Sequence, residues 1–187
     1  MNIKPLTLFT TSLVLISATS VFATEDSANK NIFYNLNIGM AKISFDDSTL
    51  DDQNALLLSS KIGLRFNNNV SVYLGSEEAI YTLDSHHYAS SLLGPGVDYT
   101  FPFAGNKLSA GVMGGLGMYI DYSNLMSDFS DSLEFGSGVS AHIGYQLNKN
   151  WNAELSATQY HVDDNDSSTI GLSIGYDIGG AFISQMF

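Results

Sequence analysis

The chain has 187 residues, and its 19 acidic side chains against 7 Lys and Arg give a formal net charge of −12 at pH 7. This negative balance argues against nucleic-acid binding, which depends on clustered basic residues. The chain has no cysteine, so no disulfide stabilises it, and its length is that of a single domain.

The N-terminus has the pattern of a secretory signal peptide. Lys4 supplies a positive charge, residues 6–16 are mostly apolar, and a small residue closes the sequence Val21-Phe22-Ala23. The apolar stretch is shorter than the roughly 20 residues of a membrane-spanning helix, and Thr and Ser interrupt it. We therefore expect residues 1–23 to be a cleaved signal peptide and residues 24–187 to form one domain.

Eight segments of the remaining chain alternate apolar and polar side chains with a period of two, which is typical of β-strands. Each has about the length of a tilted strand that crosses a bilayer. In chain order they are 31–45, 55–66, 70–81, 88–101, 107–122, 133–147, 151–161 and 168–178. In the first segment the alternation changes phase near Ala41, and we expect a β-bulge there.

The connections between these segments alternate in kind. Three are short and rich in turn-forming residues, whereas four are more acidic and mostly longer. The short ones are 67–69, 102–106 and 148–150, and the acidic ones are 46–54, 82–87, 123–132 and 162–167. Outer-membrane barrels sort short turns to the periplasm and longer loops to the outside. The sequence therefore predicts an all-β fold, a closed antiparallel up-and-down transmembrane β-barrel of eight strands. A soluble periplasmic β-sandwich or lipocalin-like barrel is the alternative.

Aromatic residues recur on the apolar face near the expected periplasmic ends of the segments. A membrane barrel carries such girdles where its wall meets the lipid interface. The seven predicted lipid-interface aromatics are Tyr34, Phe66, Tyr99, Phe101, Tyr145, Trp151 and Tyr176. A second set near the opposite ends is Phe45, Tyr81, Tyr122 and Phe135.

The polar face carries a set of ionisable side chains. Because an eight-stranded barrel is only wide enough for its own side chains, charges inside it must pair or be hydrated. The predicted interior polar network is Lys61, Arg65, Glu77, Asp98, Glu134, His142, Glu154 and Asp177. We interpret it as an ion-paired plug, with a selective pore as the alternative.

Other polar residues match no defined catalytic or metal motif. Ser140, His142 and Glu134 share the polar face and could form a hydrolytic set. Histidines at 86–87 and in 161–164 lie in or beside acidic connections, without a known metal-ligand spacing. We predict no catalytic residue, no metal and no cofactor, and interpret the acidic connections as a solvated rim. As a hypothesis, their carboxylates share divalent cations with lipopolysaccharide phosphates.

The pattern resembles the small eight-stranded outer-membrane barrels of the OmpA/OmpX type. The resemblance rests on alternating strands at 96–101 and 171–178 and on the terminal Phe187, which is typical of chains that the barrel-assembly machinery recognises. The last strand ends either at Ile178 or at Phe187. The resemblance implies outer-membrane location in a Gram-negative cell, contact with lipid and lipopolysaccharide, and a structural or surface-interaction role without enzymatic activity. A small channel or carrier, or a barrel enzyme that modifies lipid A, are the alternatives.

Overall fold

The computed structural model describes residues 32–47, 50–66, 69–105, 107–122, 132–162 and 166–179. The expected signal peptide and the extension that ends at Phe187 lie outside these ranges. Among the described residues, no helix is long and apolar enough to cross a membrane.

Eight antiparallel strands form one closed barrel. Each strand pairs with its neighbours in the chain, and the first pairs with the last. The strands are β1 (Ile32–Phe45), β2 (Gln53–Arg65), β3 (Val70–Leu83), β4 (His86–Thr100), β5 (Leu108–Asp121), β6 (Leu133–Gln146), β7 (Trp151–His161) and β8 (Ser167–Gly179). Closure leaves no unpaired sheet edge, so the backbone polar groups of the wall bond within the sheet. The predicted closed, eight-stranded up-and-down barrel is confirmed.

The pairing register fixes the tilt of the strands. Paired residues lead from Met40 through β2, β3, β4 and β5 to Leu133 on β6. In the other direction, through β8 and β7, they lead from Met40 to Ile143. Because these end points lie ten residues apart on β6, the shear of the barrel is ten residues. Such a shear tilts the eight strands by about 43°, so each residue along a strand adds about 2.4 Å of height.

The tilt brings the predicted interface aromatics to nearly one level. All seven have the outward parity, and the register places five of them within about 3 Å of the same height. These five are Tyr34, Tyr99, Tyr145, Trp151 and Tyr176. Phe66 and Phe101 lie about 6 Å closer to the end of the barrel that we expect to face the periplasm, which we call the periplasmic end; the opposite end is the outer end. The rings of Trp151 and Tyr176 are in edge contact, with their centroids 5.1 Å apart.

The expected β-bulge near Ala41 is absent from the described strands. Pairing of β1 runs without a break through Ala41 to Ile43 on both sides. Lys42 points outward, whereas Ile43 is completely buried inside the barrel. The phase of the sequence changes because the interior becomes apolar at this end, and no residue is inserted.

The second predicted set of aromatics does not form a girdle. Phe45 and Tyr81 lie inside the barrel with their ring centroids 5.5 Å apart, and Tyr81 is buried. Phe135 is exposed on the outer face. Tyr122 donates a hydrogen bond of 2.6 Å to Glu78, which has the outward parity on β3. The prediction was wrong for Phe45 and Tyr81 because apolar side chains at the outer end also fill the interior.

The sorting of connections by length holds only in part. The predicted outer loop 82–87 is a two-residue turn, because β3 continues to Leu83 and β4 begins at His86. Asp84 and Ser85 both have positive φ, 48° and 70°, as a tight hairpin turn with the twist of its strands requires. On the periplasmic side, residues 101–107 include a turn of 3-10 helix, Pro102–Ala104, and match residues 46–52 in length.

Closure between β1 and β8 can be tested by a disulfide, because the chain has no cysteine of its own. Met40 and Leu172 are paired on the outer face, within the span that a disulfide bridges. We expect the double variant Met40→Cys/Leu172→Cys to cross-link within one chain, seen as a mobility shift on a non-reducing gel. Met40→Cys/Tyr176→Cys, four residues out of register on the same face, is the control. Efficient cross-linking of the control alone would contradict the register.

Candidate functional site

The interior of the barrel has two halves of different chemistry. The periplasmic half contains most of the predicted ionisable side chains. The outer half contains mainly apolar and aromatic side chains, with the buried hydroxyls of Ser90, Ser167 and Thr169 among them. The prediction of a plug that is polar throughout is therefore corrected to a polar layer beneath an apolar one.

Four charged or titratable residues from four strands meet in the periplasmic half. Lys61 Nζ lies 2.5 Å from Glu154 Oε2 and 2.9 Å from His142 Nε2. His142 Nε2 in turn lies 2.8 Å from Asp98 Oδ1. Because Lys61, Glu154, His142 and Asp98 stand on β2, β7, β6 and β4, the network spans the lumen. We call these four residues the charged layer.

Three of the four side chains in the charged layer are buried, so their pairing is essential. The side chains of Lys61 and Glu154 are 8% and 9% exposed. An ion buried without a partner costs several kcal/mol, and good geometry offsets that cost. His142 Nε2 either accepts a hydrogen bond from Lys61 or donates a hydrogen bond to Asp98, because one ring nitrogen cannot do both. The layer thus has two hydrogen-bond arrangements that share the same heavy-atom positions.

An aromatic side chain packs beneath Lys61. The ammonium of Lys61 lies 5.3 Å from the centre of the Tyr73 ring, a cation–π distance. The ring fits because the facing residue is Gly96, where an added Cβ would come within 2.3 Å of the Tyr73 ring carbon. The polar-face parity predicted the position of Tyr73 but gave it no role.

Glu77 lies one level above the charged layer, with hydroxyl partners. Thr158 donates to one carboxyl oxygen, and Ser140 Oγ lies 3.4 Å from the other. The two hydroxyl oxygens are 2.8 Å apart. Glu77 is 3% exposed, so these hydroxyls replace the water that a carboxyl would otherwise need.

Above Glu77, apolar side chains fill the lumen. Ile43, Leu57, Leu92 and Tyr160 are at most 1% exposed and project inward from β1, β2, β4 and β7. We call these four residues the apolar septum. Apart from the Tyr160 hydroxyl, these side chains offer water no hydrogen bonds, so the septum opposes the entry of ions and polar solutes.

Below the charged layer, the barrel opens into a polar cavity of about 100 Å³ at the periplasmic mouth. Lys61, Asp98 and Glu154 form part of its lining. Arg65 and Asp177 form an ion pair in its wall, and the Arg65 guanidinium lies 5.0 Å from the centre of the Phe33 ring.

The structure thus brings together most, but not all, of the predicted interior network. Lys61, Asp98, His142 and Glu154 form the charged layer, with Glu77 above them. Arg65 and Asp177 form a separate pair at the mouth. Glu134 has the inward parity on β6 but pairs with Tyr119 near the outer end, away from the other seven. Sequence reasoning assigned no role to Thr158, although its parity marked it as inward.

Comparison with known proteins agrees with this architecture. The family profile described as "Outer membrane protein beta-barrel domain" matches residues 10–177. The chain belongs to this family. It is therefore a protein of the outer membrane, as predicted. None of the curated proteins matches it.

Two solved members of this class of barrel are similar in structure. Ail, the attachment invasion locus protein of Yersinia pestis, superposes with a TM-score of 0.55 at 14% identity, over 79% of this chain and 99% of Ail. Neisserial surface protein A superposes with a TM-score of 0.52 at 14% identity, over 79% and 96%. At such low identity these likenesses show the fold alone.

In this outer-membrane barrel, the possible hydrolytic set is not assembled. Ser140 is engaged with Glu77 and Thr158, and His142 Nε2 with Lys61 and Asp98. Glu134 lies eight residues from His142 along β6, a separation of about 27 Å.

Two of the described histidines at the outer end form hydrogen-bonded pairs. His161 Nδ1 lies 3.0 Å from Asp166 Oδ2, and His87 Nδ1 lies 3.0 Å from the Thr82 hydroxyl. Within the described ranges, no group of three or more His, Cys, Asp or Glu is arranged so that it could hold a metal ion. Residues 163–165 of the acidic connection fall outside those ranges.

The acidic connection between β1 and β2 contains one surface ion pair. Lys42 Nζ lies 2.6 Å from Asp52 Oδ2, with side chains 61% and 44% exposed. The hydrogen bond from Lys42 lowers the pKa of the Asp52 carboxyl below its usual value. Such an exposed pair adds little stability because water screens it.

The charged layer predicts a large penalty when its cation is removed. We expect Lys61→Met to destabilise the barrel by about 3–5 kcal/mol, because it leaves Glu154 buried without its partner. The double variant Lys61→Met/Glu154→Met should recover most of that loss. Urea unfolding in lipid vesicles, followed by the fluorescence of the single tryptophan, measures both. Lys42→Met, which breaks the exposed pair, is the control, and equal losses in Lys61→Met and Lys42→Met would refute the role of the layer.

Proposed function

We propose that this protein is a non-enzymatic outer-membrane barrel that is closed to solutes and acts structurally or through surface contacts of its acidic outer connections. The observation that carries the proposal is the stacking of two different closures in one lumen, the charged layer and the apolar septum. An ion that passed the charged layer would have to displace the Lys61–Glu154 pair. It would then have to lose its water at Ile43, Leu57 and Leu92, whose side chains offer no replacement.

The chemistry of the outer end supports a surface role. The described part of the outer connections carries Asp46, Asp51, Asp52 and Asp166. The backbone N–H of Asp46 donates to the carbonyl of Asp166 at 3.1 Å, which joins the β1–β2 and β7–β8 connections. A rim of this charge suits cationic partners, or divalent cations shared with lipopolysaccharide phosphates.

The related fold of Ail has been solved with the heparin analogue sucrose octasulfate. This chain, with its net charge of −12, is poorly suited to such a polyanion. We infer lipid, lipopolysaccharide bridged by divalent cations, and the barrel-assembly machinery as its envelope partners.

Solute flux tests the closed-barrel proposal. Purified protein is reconstituted in liposomes and assayed for swelling in small sugars and for ion conductance, with a general porin as the positive control. We expect wild-type protein to give no more flux than empty liposomes, because the septum and the charged layer close the lumen in series. Porin-like flux of the wild type would overturn this proposal in favour of a small channel.

The absence of enzymatic activity is tested separately on lipid A. We expect mass spectra of lipid A to be the same with and without expression of the protein, since Ser140 and His142 are engaged in other hydrogen bonds. Loss or gain of an acyl chain that depends on Ser140 would establish the enzyme alternative.

Cation-dependent binding tests the acidic rim. We expect the purified barrel to bind lipopolysaccharide in calcium and magnesium and to lose much of that binding when both ions are chelated. Asp46→Asn/Asp51→Asn should weaken the cation-dependent part, and Lys149→Gln, in a periplasmic turn, is the control. Binding that is unchanged without divalent cations would exclude the bridging mechanism.

A further inference from the structure

We propose that a groove on the outer wall of the barrel binds one glycerophospholipid of the periplasmic leaflet. The groove has a volume of about 700 Å³ and crosses the wall from β4 to β8. Its floor is made of alanines, and branched side chains form its sides. The residues that define it are Ala110, Ala141, Ala157, Ile143, Leu155 and Ile170.

The register explains why a depression forms here. Ala141 on β6 pairs directly with Ala157 on β7, so two methyl groups stand side by side. Ala157 pairs next with Ile170 on β8, and Ala110 on β5 pairs with Ile143 on β6. Larger outward side chains therefore flank the small ones on both sides, and the surface dips between them.

The groove lies on the wall that faces lipid, so hydrocarbon is the medium around it. The strands are tilted, so residues that are paired across successive strands lie progressively further along the barrel axis. The groove therefore extends by roughly 15 Å along this axis between Tyr99 and Ile170. This distance is about the thickness of one leaflet of a hydrocarbon core of about 30 Å. The groove therefore matches one acyl chain, and its lower end selects the periplasmic leaflet, which holds glycerophospholipid rather than lipopolysaccharide.

The periplasmic end of the groove carries polar groups at the level where a phospholipid has its ester and phosphate groups. Tyr99 lines the groove next to Ala110, at the level of the girdle of interface aromatics around the barrel. Tyr145 pairs with Leu108 one step below, and both tyrosines are about half exposed. Their hydroxyls can donate to the ester or phosphate oxygens of a phospholipid whose chain fills the groove. An apolar trench with phenol donors only at its interfacial end fits an amphipathic lipid better than a second copy of the barrel.

Native mass spectrometry of the purified barrel tests this site. Delipidated protein in detergent is titrated with palmitoyl-oleoyl phosphatidylglycerol. The number of lipids that remain bound to each barrel is then measured at increasing collisional activation. We expect wild type to retain one phospholipid more strongly than all others. Ala141→Phe/Ala157→Phe, which fills the floor, should weaken this binding at least tenfold. Tyr99→Phe/Tyr145→Phe should weaken it by a smaller factor, since only the polar contacts are lost.

The matched control is Ile38→Phe/Met40→Phe, which enlarges exposed side chains on β1 outside the groove. It should retain the phospholipid as wild type does. Each variant is first shown to be a closed barrel by its mobility shift on boiling, and Ala157→Leu serves as a milder replacement if the double variant does not fold. Equal retention by wild type and the filled-groove variant would overturn the proposal. A wild-type dimer that the filled-groove variant loses would overturn it too, and assign the groove to a second copy.

Discussion

The constraint on which the rest of this structure depends is the satisfaction of backbone hydrogen bonds in a medium without water. A sheet can meet it only by closing, and here β1 and β8 meet over a continuous register. Closure with eight strands and a shear of ten residues sets the tilt, and the tilt brings residues that are distant in the sequence to common levels. The girdle of aromatic residues that contains Tyr34, Tyr99 and Trp151 is one result, and the diagonal groove is another.

The narrow lumen creates a second problem, which the chain solves differently at its two ends. In the periplasmic half, ion pairing compensates for the removal of charges from water. In the outer half, most of the interior side chains are apolar, so few charges have to be removed from water there. Water could enter a charged layer and rearrange its ion pairs, whereas the aliphatic side chains of the apolar septum cannot be hydrated in this way. Because the charged layer lies towards the periplasm and the apolar septum towards the cell surface, the interior changes from polar to apolar along the barrel axis.

Much of this could be predicted from the sequence, because the period of two assigns each side chain to a face wherever the two faces differ in chemistry. That condition holds in β8, where Gly171, Ser173 and Gly175 alternate with large aliphatics. It fails at the outer end, where Ile43, Phe45 and Tyr81 are apolar and yet point inward. Parity also cannot show which inward residues meet, because that depends on the shear. Hence Lys61 and Glu154 could be assigned to the interior but not to one another. The place of Glu134, second in its segment and next to an outer connection, already indicated that it lies away from them.

The contact between Gly96 and Tyr73 has a consequence for how this barrel can change over generations. A side chain at 96 would occupy the space of the Tyr73 ring, and that ring supports the ammonium of Lys61. Neither position is free to drift alone. In descendants of this chain, a residue larger than glycine on β4 should coincide with a smaller one on β3, and the lysine on β2 should then need a different neighbour. The three positions form one inherited unit, although they are scattered over more than thirty residues of sequence.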